Sequence, residues 1–263
     1  MIKVAVNGAC GRMGSKVVEN VCKDEELELV AALEREGHPL LGSEIGSDLH
    51  GRGCVVKVTR EFDGKPDVLI DFSEPASSVE RAARCAAVGT ALVICATGHD
   101  AEQSAKIKEA ADKVPCLISP NMSLGVNLLF QLAAQVARAL GDAYDIEVVE
   151  THHRFKKDAP SGTALKIAED ICEATGKKLD DVAVYGRKGL IGERPRGEIG
   201  IHTLRVGDTV GEHRVIFGNL GETVELVHNA HSRDTFAVGA IRAAKFIVNK
   251  PPGLYGMKDV IKV

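Results

Sequence analysis

IKVAVNGACGRMGSKVVENVCK, residues 2–23, joins a short apolar run to a glycine-rich turn and then to a run with helical spacing. The apolar run IKVAV is typical of a buried parallel strand. Gly8, Gly11 and Gly14 follow it in a G-x-x-G-x-x-G pattern, and SKVVENVCK opens the helix. Glycines in such a turn let the backbone approach a pyrophosphate, whose charge the helix N-terminus stabilises. The stretch therefore predicts the first strand, turn and helix of a dinucleotide-binding sheet.

An acidic and a basic residue stand at the end of the second predicted strand, residues 27–34. Glu34 lies at the spacing from the glycine turn, about 20 residues, that is expected of a ribose contact. Arg35 follows it directly. An acid suits the free 2′-hydroxyl of NAD, whereas an arginine can hold the 2′-phosphate of NADP. The pair predicts that either cofactor can bind, although Glu34 could also be a solvated strand end.

The rest of the first half alternates between buried strands and amphipathic helices. Strands are predicted at 66–73, 90–98 and 115–121, and helices at 74–89, closed by Gly89, and at 101–113, while 37–53 is predicted to be a loop. This alternation is typical of βαβ units in a doubly wound parallel sheet. Ligands of such sheets bind beyond the carboxyl ends of the strands. We therefore expect Asp71–Ser73 and Cys95–Gly98 to line the nicotinamide half of the site.

The pattern changes in the second half of the chain. A long amphipathic helix is predicted at 123–140, a strand at 145–154 and a helix at 161–176. Three further strands, at 198–206, 209–218 and 222–230, are predicted to form an antiparallel meander, and a helix at 234–249 closes the chain. The fold class is therefore α/β, with a Rossmann-like doubly wound parallel sheet and a second α+β domain that carries an open mixed or antiparallel sheet. The predicted domains are 1–123 with 234–263 for the dinucleotide, and 124–233 for substrate binding and oligomerisation.

The composition sets limits on function. The chain has 263 residues and a formal net charge of -4, which argues against a general nucleic-acid binder. Seven cysteines without a CxxC pair predict reduced, buried thiols and no metal site. We expect no membrane span, because no apolar run approaches about 20 residues, and no leader, so a cytoplasmic location is predicted.

THHRFKKDAPSGTAL, residues 151–165, concentrates positive charge before a helix in this acidic chain. Ser161 can cap the helix, whose free N–H groups attract an anion. The side chains that could add positive charge upstream are His152, His153, Arg154, Lys156 and Lys157. This segment predicts a site for a small, multiply charged anion such as a dicarboxylate. Two simpler interpretations remain open: Ser161 could serve only as a cap, and some cations, Lys157 first, could belong to a solvated loop.

These motifs together resemble the dihydrodipicolinate reductase family over essentially the whole chain. NGACGRMG resembles the family's nucleotide loop, and HSRDTFAVGAIRAAKF its closing helix. ETHHRFKKDAPSGTAL resembles the signature E-x-H-H-x-x-K-x-D-x-P-S-G-T-A. Two departures are Phe155, where some members have histidine, and Cys95, where many have glycine. A cysteine side chain at position 95 leaves less room for the nicotinamide beside the backbone than a glycine would.

The resemblance implies NADH- or NADPH-dependent reduction of 4-hydroxy-tetrahydrodipicolinate in the diaminopimelate route to lysine, by a homotetramer. It implies His152 as general acid or base and Lys156 as proton donor. The positions that match substrate contacts are His153, Ser161, Gly162 and Thr163. The positions that match cofactor-binding segments are Gly8, Ala9, Cys10, Gly11, Arg12, Met13, Glu34, Arg35, Cys95, Ala96, Thr97, Ser119, Pro120, Asn121 and Met122.

Two rival functions remain at this point. Another NAD(P)-dependent dehydrogenase, for instance one acting on an amino-acid semialdehyde, would explain the glycine turn but would leave the HH…K…SGT cluster without a role. A nonenzymatic NAD-sensing protein would need no acid–base pair and usually carries a partner-binding extension, which this chain does not show. Stabilisation by pyridine-2,6-dicarboxylate would favour the reductase over both rivals.

Overall fold

The computed structural model describes residues 1–47 and 54–261. Contacts between Cα atoms divide the chain into two compact units, which we call the first unit (Met1–Leu124 with Asp234–Lys262) and the second unit (Gly125–Arg233).

The helices and strands follow one another along the chain in a regular succession. They are β1 (Ile2–Asn7), α1 (Gly14–Lys23), β2 (Leu27–Leu33), β3 (Glu44–Gly46), β4 (Val55–Thr59), β5 (Val68–Asp71), α2 (Pro75–Val88), β6 (Ala91–Ile94), α3 (Ala101–Ala111), β7 (Pro115–Ile118), α4 (Leu124–Leu140), a 3-10 turn (Gly141–Ala143), β8 (Asp145–His152), α5 (Gly162–Thr175), α6 (Leu179–Val182), β9 (Ala183–Tyr185), β10 (Ile199–Arg205), β11 (Gly211–Asn219), β12 (Glu222–Ala230), α7 (Asp234–Ile247), β13 (Gly253–Tyr255) and α8 (Met257–Val260).

The first unit is built on one sheet with the strand order β13-β7-β6-β5-β1-β2-β4-β3. Its strands pair in parallel except at one edge, where β3 runs antiparallel to β4. The predicted parallel sheet is therefore confirmed. The prediction that 37–53 is entirely a loop is wrong at β3, and part of that range, 48–53, lies outside the described residues. The short strands β4 and β13 were not predicted, because strands of three to five residues carry little periodicity.

Successive residues of β1 face two different cores, as the period of two in a strand requires. Val4 and Val6 pack with apolar residues of α1 and α7, such as Val17 and Ala240. Ala5 faces the other side, in the core that α2 and α3 cover. Helices therefore cover both faces of the sheet, which is the doubly wound arrangement that the sequence predicts.

Two cysteines of the first unit are paired. Cys22, in α1, and Cys54, just before β4, form a disulfide, with 5.6 Å between their Cα atoms. The expectation of seven reduced thiols is wrong for this pair, because the fold brings together two segments that are 32 residues apart in the chain. The other five cysteines are free, and four of them are buried.

The second unit contains a mixed sheet with the strand order β12-β11-β8-β10-β9. β11 and β12 form the predicted antiparallel hairpin. The predicted three-stranded meander is wrong for β10, because β8 lies between β10 and β11 and pairs with β10 in parallel. The turn at Gly207 therefore does not close a hairpin, and β8 takes the central position of the sheet.

The core of the second unit lies between one face of this sheet and the helices α4 and α5. Ile146 and Val148 of β8 face it, together with Ile167 and Ile171 of α5. Residues Leu124–Ala143 form, within the described part of the chain, the one helical segment long and apolar enough to cross a membrane. The expectation that no segment reaches this length is therefore wrong. Length and composition are weak evidence here, since α4 packs Leu129 and Phe130 into this core.

Candidate active site

The glycine turn after β1 is closed by backbone contacts that leave no room for side chains. Gly8 has a positive φ of 73°, and the N–H groups of Gly8 and Ala9 donate to the carbonyl oxygen of Leu33 at 3.0 and 3.1 Å. A Cβ on Gly8 would lie 2.8 Å from the Phe72 carbonyl oxygen, and one on Gly14 only 1.9 Å from the Gly8 carbonyl oxygen. The turn thus requires glycine at both ends of the motif.

A cavity of about 280 Å³ lies beside this turn. Its lining includes Gly8, Gly11, Glu34 and Arg35, and it continues along residues 72–74 and 77. Glu34 is only 8% exposed, and its Oε1 accepts the N–H of Cys10 at 2.9 Å, whereas Arg35 is exposed. A carboxylate fixed against the glycine turn and an arginine at the same rim fit the ribose of a dinucleotide.

Asp71, at the carboxyl end of β5, organises the floor of this cavity. The residue is fully buried, and its carboxylate accepts hydrogen bonds from Asn7 Nδ2 at 2.8 Å, from Ser73 Oγ at 2.6 Å and from Ser78 Oγ. Asp71 therefore holds the ends of β1 and β5 together. Phe72 and Ser73 line the same cavity as Glu34.

The other predicted cofactor positions follow β6 and β7 at the same carboxyl edge of the sheet. Cys95 and Ala96 are buried and Thr97 is exposed, and burial raises the pKa of the Cys95 thiol well above its ordinary value. Ser119 Oγ donates to the carbonyl oxygen of Asn121 at 2.8 Å. The remaining positions here are the exposed Pro120 and the buried Met122, and in the glycine turn the exposed Arg12 and the half-buried Met13.

A fully buried carboxylate, Glu150, lies at the centre of the histidine cluster in the second unit. Arg205 donates to both of its oxygens, at 2.9 and 3.0 Å, and Thr203 Oγ1 donates at 3.0 Å. The backbone N–H of Ser161 donates at 3.0 Å, and Glu150 Oε2 lies 2.5 Å from His152 Nδ1. Burial opposes ionisation, but the hydrogen bonds from Arg205 and His152 outweigh it and hold the pKa of Glu150 below its ordinary value.

His152 is the last residue of β8, and its side chain is 12% exposed. Burial lowers the pKa of its imidazole, and the contact with Glu150 raises it. The positive charges of Lys156 and Arg205 lower it further, so the net pKa lies below the ordinary value. The imidazole is therefore neutral near pH 7, and both the carboxylate and the cations can change its protonation.

His213, on β11, is a second buried histidine that the sequence analysis did not select. Its ring lies edge-on to that of His152, with 5.2 Å between the centroids, and its Nε2 lies 3.1 Å from Ser161 Oγ. Burial and the neighbouring His152 lower its pKa to about 3. His213 is therefore neutral at any physiological pH, and it packs between His152 and the cap of α5.

The loop between β8 and α5 carries the predicted proton donor. Lys156 Nζ contacts both oxygens of Asp158, at 3.0 and 2.9 Å, and its side chain is 21% exposed. His153 is half-buried, and Lys157 is exposed like Arg154. Arg205 also donates to the Asp158 carbonyl oxygen at 2.6 Å, so the loop is fixed at the residue that holds Lys156.

The N-terminus of α5 is capped as the sequence predicts. Ser161 Oγ accepts the N–H of Ala164 at 3.2 Å, and Ser161 is buried. Its backbone N–H and its hydroxyl thus have partners within the protein. Gly162 is exposed and Thr163 is half-buried, and a Cβ on Gly162 would meet no other atom within 4 Å. The N–H groups of a first helical turn lack intrahelical partners, so this end offers donors to an anion.

Three residues of this cluster, Thr203, Arg205 and His213, lie outside the motifs quoted above. Glu150 is the first residue of the ETHH signature, but the signature gave it no predicted role. Glu150 and His213 also carry a periodic signal. Glu150 stands at an inward position of β8 between apolar Val148 and His152, and His213 alternates with Val215 and Phe217 on β11. A polar residue at the inward position of an apolar strand needs a buried partner, and that rule could have identified both.

Comparison with known proteins places the chain in one family. The family models described as dihydrodipicolinate reductase, N-terminus and C-terminus, match residues 2–122 and 125–261. A 4-hydroxy-tetrahydrodipicolinate reductase of Syntrophobacter fumaroxidans is 48% identical, over 99% of both chains. The enzyme of the same name from Methanothermobacter thermautotrophicus is 46% identical over the full length of both.

A solved structure shows the same fold. The dipicolinate-bound dihydrodipicolinate reductase of Paenisporosarcina sp. TG-14 is 27% identical, with a TM-score of 0.78 over 99% of this chain and 100% of that one. The glycine turn with its cavity and the buried histidine cluster thus occur in a chain that matches both halves of one enzyme family. The chain belongs to the dihydrodipicolinate reductase family, and it catalyses the NAD(P)H-dependent reduction that this family carries out in the diaminopimelate route to lysine.

Proposed function

We propose that the chain reduces 4-hydroxy-tetrahydrodipicolinate with a division of work between its two units. The first unit holds the cofactor and the second unit holds the dicarboxylate and delivers the proton. The observation that supports this most strongly is that the buried Glu150 contacts both His152 and the N-terminus of α5, while Lys156 lies on the loop between them and pairs with Asp158.

Gly8 to Met13, Glu34 and Arg35 hold the nucleotide end of NADH or NADPH in this proposal. The absence of side chains at Gly8 and Gly14 leaves the turn narrow enough for backbone N–H groups to contact a pyrophosphate. The segments 95–97 and 119–122 contact the cofactor where they leave the sheet, at its carboxyl edge. When bound, the dihydronicotinamide supplies the hydride.

Gly162 and Thr163 bind one carboxylate of the substrate through the open end of α5, and His153 orients the ligand. Ser161 remains a predicted substrate position. The backbone N–H and the hydroxyl of Ser161 already have partners in the protein, so Ser161 does not bind the ligand directly. It acts by capping α5 and so fixing the position of the helix end. Burial of the cap by His213 fixes the direction in which the N–H groups point.

Lys156 is the principal acid of the proposed reaction. Reduction of a conjugated imine leaves negative charge that a proton must neutralise, and an ammonium group supplies both charge and proton. Its contact with Asp158 keeps the ammonium in the loop that joins the histidines to the carboxylate-binding helix. His152 acts as a second donor or as a proton relay. The exposed Lys157 takes no part.

We further propose that the protein acts in the cytoplasm as a homotetramer formed through the open sheet of the second unit. Exposed apolar side chains on that sheet, Leu204 and Val227, support an interface there. Light scattering of the purified chain would measure the oligomeric state.

A coupled assay with the preceding synthase, in which NADH and NADPH oxidation are followed separately, tests the proposed reaction. We expect oxidation of either cofactor only when the synthase product is present. Pyridine-2,6-dicarboxylate should inhibit this reaction and raise the melting temperature of the protein. Cofactor oxidation without the product, or no stabilisation by the planar dicarboxylate, would contradict the proposal.

The carboxylate site has its own test at Gly162. Gly162→Val should raise KM for the dicarboxylate strongly, by about tenfold or more, because the branched side chain covers the N-terminal end of α5. A Cβ at this position would have no neighbouring atom within 4 Å, so the fold should tolerate the change. Gly162→Ala is the matched control and should have a smaller effect. An unchanged KM in the valine variant, with cofactor binding intact, would remove this site from the proposal.

A further inference from the structure

Glu150 is fully buried and contacts His152, Thr203, Arg205 and the cap of α5. Its Oε2 meets His152 Nδ1 at 2.5 Å and Arg205 Nη1 at 2.9 Å. Its Oε1 accepts from Thr203, from Arg205 and from the N–H of Ser161, each at 3.0 Å. A buried carboxylate with five such contacts is fixed in position, and a change in its charge affects all of its partners.

The hydrogen bonds to Glu150 determine which nitrogen of His152 carries a proton. A carboxylate that is paired with an arginine is ionised and can only accept hydrogen bonds. His152 Nδ1 must therefore be the protonated nitrogen, and Nε2 is the one that exchanges protons. In the proton relay, Nε2 of the neutral ring first takes up a proton from solvent. The new Nε2–H bond then breaks as that proton passes to the substrate, and the ring returns to the neutral Nδ1–H tautomer.

The surroundings of the ring agree with this assignment. A Cβ on Gly211 of β11 would lie 3.1 Å from His152 Nε2, so the glycine leaves space beside the exchanging nitrogen. The charged and titratable groups that face His152 are Glu150 on its own strand, Lys156 on the loop, Arg205 on β10 and His213 on β11. Glu150 is the one carboxylate among these groups, and the charges of Lys156 and Arg205 oppose a positive charge on the ring.

We propose that Glu150 is a positioning residue of the reaction. One of its carboxylate oxygens fixes His152 as the Nδ1–H tautomer. The other accepts the Ser161 N–H and so holds the carboxylate-binding end of α5. A single buried carboxylate thus aligns the proton relay with the end of the helix that binds the substrate. This inference rests on the proposed function for its catalytic consequence. Its structural part, the tautomer, can be measured without turnover.

The decisive variant is Glu150→Gln, which keeps the size of the side chain and removes its charge. Glu147→Gln is the matched control, because Glu147 lies on the opposite face of β8 and also pairs with arginines, Arg187 and Arg194. The ¹⁵N chemical shifts of histidine-labelled protein report the protonation of each ring nitrogen. The His152 signals are identified by their loss in His152→Asn.

In the wild-type protein, we expect His152 to be protonated at Nδ1 at neutral pH. In Glu150→Gln, the tautomer should become mixed and the imidazole pKa should fall further, because the raising effect of the carboxylate is lost. The Glu147→Gln spectrum should match the wild type. Under the proposed function, kcat of Glu150→Gln should fall roughly 10–100-fold, the range found when a partner that orients a histidine is removed. The alkaline limb of its kcat profile should also move to lower pH.

Protonation of wild-type His152 at Nε2 alone would overturn the inference, and this measurement does not depend on Glu150→Gln being folded. Equal effects of Glu150→Gln and Glu147→Gln on the His152 signals would also overturn it, since loss of stability would then explain both. If the wild type bound pyridine-2,6-dicarboxylate but did not reduce the substrate, the proposed reaction would be wrong, while the NMR result would still decide the role of Glu150.

Discussion

The cavity beside the glycine turn and the cluster around Glu150 use different parts of the polypeptide. The first is shaped mainly by backbone, because Gly8 and Gly14 leave no space for a Cβ between neighbouring carbonyl groups. The second is shaped by side-chain charge, since Glu150 joins Arg205, His152 and the cap of α5. A site made of backbone is sensitive to added volume and insensitive to pH. A site made of paired charges has the opposite sensitivities.

Lys156→Ala should have the largest effect and tests whether the second site works by specific charges. We expect kcat to fall by roughly 10²–10⁴, the range of a positioned acid, with cofactor affinity nearly unchanged. The neighbouring exposed Lys157→Ala is the control and should retain activity. Equal losses in the two variants, measured by steady-state kinetics, would mean that the loop acts only as a diffuse positive field.

Gly14→Ala tests the backbone-built site by volume alone. The alanine Cβ would lie 1.9 Å from the Gly8 carbonyl oxygen, so the turn must change its conformation to make room. The cofactor would then bind only if the turn returned to its original, now strained, conformation. Overpacking of this kind costs about 1–3 kcal/mol, which corresponds to roughly 5–150-fold weaker NADH binding. Gly256→Ala, whose Cβ has no neighbour closer than 3.9 Å, is the matched control. If calorimetry gave wild-type affinity for Gly14→Ala, the turn would not be the pyrophosphate site.

The pH dependence of the free energy of unfolding tests whether the buried histidines of the second site are neutral in the folded protein. The pKa of His213 is about 3 in the folded protein against an ordinary 6.5. Between these two pH values, His213 is protonated in the unfolded chain and neutral in the folded chain. The stability that this provides is complete above about pH 6.5 and is lost as the pH falls towards 3. Between about pH 7.5 and pH 5, the loss should be about 2 kcal/mol.

His213→Gln should reduce this dependence, because glutamine does not titrate. Urea unfolding at several pH values measures it in both proteins. His152 and His228, whose pKa values are also lowered, add a dependence of the same sign in both. Parallel curves for the variant and the wild type would show that His213 does not stay neutral in the folded protein.

Arg35→Ala should give the smallest effect, since it removes an exposed charge at the rim of a site that is shaped mainly by backbone. NADPH binding should weaken by about 1 kcal/mol, or roughly fivefold, and NADH binding should change less, because only NADPH carries the 2′-phosphate. Titration of both cofactors by fluorescence measures the difference. Equal losses would place Arg35 away from the 2′-phosphate.

Sequence alone determined the features that local chemistry encodes. The apolar runs and helices of the first half predicted the parallel sheet, Gly89 ended α2 with a positive φ of 79°, and Ser161 capped α5 as expected. Each of these depends on residues within a few positions of one another. Steric and hydrogen-bonding preferences act at that range, so they can be read directly from the chain.

Only the tertiary structure decided which distant segments meet. Insertion of β8 between β10 and β11 brings Glu150 to Thr203 and Arg205, which are 53 and 55 residues further along the chain. The same order places His213 against His152 and Ser161, and the fold of the first unit pairs Cys22 with Cys54. The alternation of a strand fixes which of its residues face inward, but not which strand lies beside it. The predicted meander was wrong for that reason, and the partners of Glu150 on β10, Thr203 and Arg205, became known only with the pairing of β8.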